Sequence, residues 1–181
     1  MGLPGPLVKR LAKTGITEPT PIQTHAIPHA LNGEDVMGLA QTGTGKTAAF
    51  GLPLLAKLME QRGKPAPKTV RSLILAPTRE LAGQIRDTLV PLVKDSPIKV
   101  ALVVGGASIG AQIKRMQAGT DVLVATPGRL LDLLDRRALS LADTRFLVLD
   151  EADQMLALVF IHALRMIAGL LPSTRQTMLF S

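Results

Sequence analysis

Residues 40–47 read AQTGTGKT, and residues 150–153 read DEAD directly after the apolar run Phe146, Leu147, Val148 and Leu149. In the first segment, glycines at 43 and 45 let backbone N–H groups turn inward around phosphate oxygens. A helix starting near Lys46 adds the positive end of its dipole. In such a cradle Ala40, Gln41, Thr42, Gly43, Thr44 and Gly45 surround the phosphates. The Lys46 ammonium neutralises the β- and γ-groups, and the Thr47 hydroxyl faces a magnesium ion. The strict pattern has glycine where this chain has Ala40, but the later glycines make the tight turn. Asp150 and Glu151 suit two different roles. Asp150 would hold magnesium through water, and Glu151 would orient or polarise an attacking water. Alone, the two acids would serve equally well as a solvated cap on the next helix. With a phosphate loop about a hundred residues upstream, they point to a nucleoside triphosphate and its metal.

Three further clusters carry polar or conformationally special residues: Pro77, Thr78 and Arg79; Gly105 and Gly106; Thr126, Pro127, Gly128 and Arg129. Two arginines, two hydroxyls and several glycines with open N–H groups suit an anionic strand held by its phosphates. The bland alternative for Arg79 is a surface ion pair with a neighbouring acid such as Glu80. His25, His29 and His162 have no metal-ligand spacing with acids and are expected on helix surfaces.

These residues need a scaffold that brings them together. The apolar runs 36–40, 72–76, 100–104, 121–126, 146–150 and 177–181 are nearly continuous rather than alternating, as in strands covered on both faces. Helical segments fall at 21–31, 46–61, 79–94, 109–117, 128–136 and 160–171, with Pro21 in a first turn and Gly15 at a helix end. Strand–helix alternation predicts an α/β doubly wound fold, with a mostly parallel sheet and helices on both faces. Each polar cluster follows a predicted strand at once. The carboxyl ends of parallel strands form the binding edge of such sheets, so the clusters are expected to converge there. The basic, proline-containing stretch 62–68 reads as a surface loop rather than a domain linker.

Composition sets the outer bounds. The chain has 181 residues, 46% hydrophobic and 19% charged, which suits one globular domain with its own core. Zero cysteines exclude disulfides and thiolate metal sites. No apolar run approaches the roughly 20 residues of a bilayer span, and a cytoplasmic address is expected. The net charge of +7 favours polyanionic partners such as nucleic acid or an anionic membrane. With four Phe and no Tyr or Trp, stacking of bases on aromatic platforms is disfavoured, so a nucleic acid would be held by its backbone.

The motifs PTPIQ at 19–23, AQTGTGKT, PTRELA at 77–82, GG at 105–106, TPGR at 126–129 and DEAD occur in this order over essentially the whole chain. The chain resembles the first RecA-like lobe of a DEAD-box RNA helicase, closest to the bacterial RhlE-type branch. The resemblance implies a RecA-like P-loop NTPase domain over residues 1–181, with ATP and Mg²⁺ as cofactors. It implies that Gln23 reads the adenine edge, and that the PTREL, GG and TPGR segments lie on single-stranded RNA. Asp153 is expected to bond to a Ser-Ala-Thr motif that begins at Ser181 and couples hydrolysis to strand separation. A second lobe carrying the arginine fingers is the implied partner, and a single lobe is expected to be nearly inactive. A DNA-translocating relative and a non-catalytic RNA-binding module are the rival readings. The pattern departs from the family in four places. The adenine-stacking aromatic would fall ahead of Met1, and Ile16 stands where an aromatic often follows Gly15. Ala157 replaces an acid, and Val159 replaces a glycine that precedes Phe160. Valine disfavours positive φ, so an altered or strained turn is expected at Val159.

Overall fold

The computed structural model describes residues 2–41 and 45–181. The six apolar runs form β1 (Val36–Gly38), β2 (Val70–Leu75), β3 (Val100–Val103), β4 (Thr120–Ala125), β5 (Phe146–Leu149) and β6 (Gln176–Phe180). They lie in one sheet in the order β1-β6-β5-β2-β4-β3, and every adjacent pair is parallel. The helices are α1 (Gly5–Lys13), α2 (Pro21–Leu31), α3 (Lys46–Glu60), α4 (Arg79–Leu89), α5 (Ile109–Met116), α6 (Pro127–Asp135), α7 (Ala152–Met155) and α8 (Leu158–Leu170).

Successive side chains on a strand point to opposite faces, and here both faces are apolar. Ile74, Val124, Val148 and Phe180 face a core built with Leu7, Ile27, Phe50, Leu54 and Ile85 from α1 to α4. Leu73, Leu75, Leu123 and Leu147 face a second core with Met116, Leu130, Leu133, Met155 and Ile167 from α5 to α8. This two-sided burial is why the strands read as continuous apolar runs. Phe50 and Phe180, with ring centroids 5.5 Å apart and tilted by 54°, tie α3 to β6.

Several boundaries differ from the expected ones for local reasons. The segment 79–94 does not stay α-helical. Pro91 has no N–H for the helical ladder, and Val90–Val93 tightens into a 3-10 turn. Helix α1 was marked only by its end, where Gly15 takes φ +87° just after the C-cap Thr14. The strain expected at Val159 is absent. Ala157, with φ −63°, is the N-cap of α8, and Val159 lies within that helix, outside the positive-φ positions. A turn at Leu156 and Ala157 separates α7 from α8, and Leu158 and Val159, in the first turn of α8, are exposed.

All six strands run the same way, so their carboxyl ends share one edge. Helices α3, α4, α6 and α7 each begin a few residues beyond a strand end there, which directs their positive dipole ends to that edge.

Candidate nucleotide and phosphate-backbone site

The phosphate-loop helix begins with a conformational requirement. Gly45, the N-cap of α3, has φ +84°, and a Cβ there would collide with Gln23 Nε2. Thr42, Gly43 and Thr44 lie outside the described residues. Ala40 is anchored by its N–H, which donates to the Ser181 carbonyl at 2.9 Å, and Gln41 is exposed. Lys46 is the first residue of α3 and only 9% exposed. Its ammonium donates to Glu151 Oε1 at 2.9 Å, across 105 positions of sequence. Thr47 is half-buried beside it in the chain. The start of α3 and the acidic pair after β5 therefore meet.

The acids are held differently. Asp150 directly follows β5, is 2% exposed, and accepts the Glu151 N–H on Oδ1 at 2.9 Å. Glu151 has φ +52°, an αL turn that leaves β5 and opens α7. Burial, the dominant influence, pushes the Asp150 carboxyl above the usual carboxylate range, although the Lys46 charge and the Glu151 N–H pull it back. The Asp150 carboxylate with a Thr47 hydroxyl makes an all-oxygen donor set. No cage of three or more His, Cys, Asp or Glu exists among the described residues. One or two carboxylates completed by waters and phosphates is the pattern that suits Mg²⁺, so the residues fit that ion.

The raised Asp150 carboxyl has a consequence for stability. The native chain binds this proton more tightly than the unfolded chain does. The stability contributed by this group is therefore full below the ordinary carboxylate value and is lost as pH rises through the raised one. Asp150→Asn keeps the shape and the acceptor for the Glu151 N–H but removes the buried charge. It is expected to raise the thermal midpoint of the nucleotide-free chain at neutral pH by about 2–4 °C, which corresponds to ~1 kcal/mol at this size. It should also flatten the dependence on pH. A midpoint that is unchanged or lower, measured by circular dichroism from pH 4 to 8, contradicts this.

Gln23 is 3% exposed and joins α2 to the phosphate loop. Its Oε1 accepts the Thr20 N–H at 3.0 Å, and its Nε2 donates to the Gly45 carbonyl at 3.1 Å. One amide proton and one acceptor lone pair remain on the side chain. Beside it opens a cavity of about 360 Å³, lined by Leu3, Leu11, Ile16, Pro19 and Leu52 among others. Its walls are mostly apolar, with Thr17 and Glu18 on one segment, and Gln23 supplies an amide, a combination that accommodates a flat heteroaromatic ring.

The remaining motifs lie along the same edge. Thr78 caps α4, accepting the Leu81 N–H at 3.2 Å. Thr126 caps α6 without spending its hydroxyl on the helix. Gly106 takes φ +81°, and a Cβ there would strike Arg79 Nη1, so the Arg79 side chain lies against Gly106. Arg79 also donates through Nε to Glu80 at 3.1 Å. Both partners are exposed, so this pair is weak and an anionic ligand can replace it. Arg129 Nη1 donates to the Ala107 carbonyl at 2.9 Å and to Gln112 Oε1 at 3.0 Å. Arg79 and Arg129 thus grip the glycine loop from two elements. Thr78, Arg79, Gly106 and Gly128 are exposed, and Gly105, Thr126 and Arg129 half-buried. Pro77 and Pro127 are buried, and they shape the turns rather than offer surface to a ligand.

Ser181 closes the arrangement. Its backbone N–H donates to the Gly38 carbonyl at 3.0 Å, and its hydroxyl accepts the Asp153 N–H at 3.1 Å. The contact with Asp153 is made through backbone rather than through the carboxylate. Among the histidines, His29, near the C-terminal end of α2, pairs with Glu34 at 2.8 Å on the surface. The residue that sequence reasoning missed is Gln112. Its signal was a polar side chain on the stripe Ile109, Ile113, Met116 of α5.

Residues 20–181 match the DEAD/DEAH box helicase family. Two similar proteins are the DEAD-box ATP-dependent RNA helicases CshA of Streptococcus pneumoniae serotype 4 (strain ATCC BAA-334 / TIGR4) and of Streptococcus pneumoniae (strain ATCC BAA-255 / R6). Each is 47% identical over all 181 residues of this chain, which spans 34% of the length of either relative.

Proposed function

Because the chain belongs to the DEAD/DEAH box helicase family, we propose that it is the ATP-binding lobe of an ATP-dependent RNA helicase. In the whole protein it would work with a second RecA-like lobe, clamping RNA when ATP binds and releasing it after hydrolysis. The observation that carries this reading is the Lys46–Glu151 contact, which joins the phosphate-loop helix to the acidic end of β5. Beside it on the same strand edge stand the residues suited to a phosphate backbone. ATP and RNA would then be neighbours, and each could sense the other through α3, α4 and the β5 end.

In the proposed scheme adenine enters the apolar cavity beside Gln23, whose remaining donor and acceptor match the adenine edge. The triphosphate takes Lys46 from Glu151, and the freed carboxylate orients the attacking water. Thr47 and Asp150 would hold Mg²⁺, which when bound neutralises charge on the β- and γ-oxygens. Ser181 and Asp153 link the phosphate loop to α7, and this link is the proposed route by which hydrolysis reaches the second lobe. We place the protein in the bacterial RhlE-type branch on its motif pattern, and in the cytoplasm, where a bacterial RNA helicase would meet its substrate. Among the described residues no helix is long and apolar enough to cross a membrane.

RNA is proposed to lie on Thr78, Arg79, Gly105, Gly106, Thr126, Gly128 and Arg129, read by phosphate contacts. Binding by this lobe is then weak, tolerant of sequence and steeply dependent on salt. Arg79→Ala and Arg129→Ala should each weaken it alike across unrelated RNA sequences and lower the salt slope by about one contact. Fluorescence anisotropy between 50 and 200 mM salt, roughly the range over which such slopes are read, checks this. Salt-insensitive or sequence-selective binding would mean that bases, not phosphates, are read.

A further inference from the structure

We infer that Gln112 is a positioning residue for the RNA contact: it fixes the Arg129 guanidinium so that its Nε–Nη2 edge is presented to a phosphate. The inference rests on the proposed RNA surface and extends it to a residue outside the binding motifs. Gln112 is 4% exposed although it sits on a short surface helix. Its amide is fully oriented: Nε2 donates to the Val104 carbonyl at 3.0 Å, which fixes which way the carboxamide faces. Oε1 is thereby turned to Arg129 and accepts from Nη1 at 3.0 Å. The second proton of Nη1 goes to the Ala107 carbonyl at 2.9 Å.

A guanidinium has five protons in a planar fork. Two are consumed on Nη1, and no group among the described residues is bonded to those on Nε and Nη2. That remaining edge has the spacing for two parallel bonds to a phosphate. Gln112 therefore does more than fill a core position. Val104 ends the β3 region, Ala107 follows the glycine pair, and Arg129 belongs to α6. One buried amide locks these three together, so Gly105 and Gly106 and the Arg129 fork keep one relative placement before RNA arrives. Immobilising a long side chain in advance lowers what binding must spend on ordering it.

The test uses a short fluorescent oligouridylate and this chain. Gln112→Met keeps the length and removes both hydrogen bonds. Gln112→Asn keeps the polarity but is one methylene too short. Met and Asn are expected to weaken RNA binding by about three- to tenfold, the range for one released side chain, and neither should add anything in an Arg129→Ala background. Thermal unfolding of each variant establishes the folded fraction; if Met does not fold, the Asn variant decides, alone and in the Arg129→Ala background. Parent-like binding by the folded variants overturns the role of Gln112. Loss on Gln112→Met that is undiminished in the Arg129→Ala background means that Gln112 acts through something other than Arg129, and also overturns it. If Arg129→Ala itself binds like the parent, the proposed RNA surface is what fails.

Discussion

Lys46→Ala is expected to lower the affinity of this chain for Mg·ATP by about 10²–10⁴-fold, effectively abolishing binding at millimolar nucleotide. Lys46 is almost wholly buried at the start of α3, and its ammonium is the charge that answers Glu151 when no nucleotide is present. Removing one partner of a buried charged contact costs about 3–5 kcal/mol, which sets the expected factor. Circular dichroism establishes the folded fraction first, because the substitution also leaves Glu151 without its partner. Isothermal calorimetry on the folded variant checks it, and unchanged affinity contradicts the phosphate-loop assignment.

The second large effect concerns turnover. Residues 1–181 alone are expected to hydrolyse ATP barely above background and to separate no duplex, with or without RNA. Joining the second lobe should raise RNA-stimulated turnover by about 10³–10⁵-fold, the range attributed to an arginine finger acting on the γ-phosphate. In the proposed scheme Lys46, Thr47, Asp150 and Glu151 would supply only the metal and phosphate half of that chemistry. Arg79 and Arg129, the arginines of the proposed site, are turned to the glycine loop. Glu151→Gln in the two-lobe protein should remove turnover while tightening ATP binding, because the neutral amide competes less well for Lys46. Efficient RNA-stimulated hydrolysis by the single lobe would overturn the two-lobe reading, and weaker ATP binding by Glu151→Gln would contradict the proposed competition.

Much of this site was legible in the residues themselves. Glycine, lysine and paired acids have chemistries that spacing alone exposes, and continuous apolar runs are what a doubly covered strand requires. The sheet order was not legible, because pairing between β5 and β6 or β2 and β4 depends on how the helices pack. The short helix α7 was missed because it follows from the αL turn at Glu151, a conformation that acidic residues adopt only occasionally. At Val159 a family pattern pointed to strain that the chain avoids by extending α8 through the position. Contacts between distant positions were the least accessible. Lys46 with Glu151, Gln23 with Gly45, and Gln112 with Arg129 each join separate elements, and no local pattern encodes such a pairing.

The central claim is that this lobe belongs to a machine that spends ATP on RNA. The most direct measurement is the steady-state ATPase rate of the full-length protein with saturating single-stranded RNA, compared with DNA of the same sequence and with no nucleic acid. RNA should stimulate turnover by an order of magnitude or more, DNA should leave it near the basal rate, and Arg79→Ala should blunt the RNA response. Equal stimulation by RNA and DNA, or no response to RNA at all, would contradict the account.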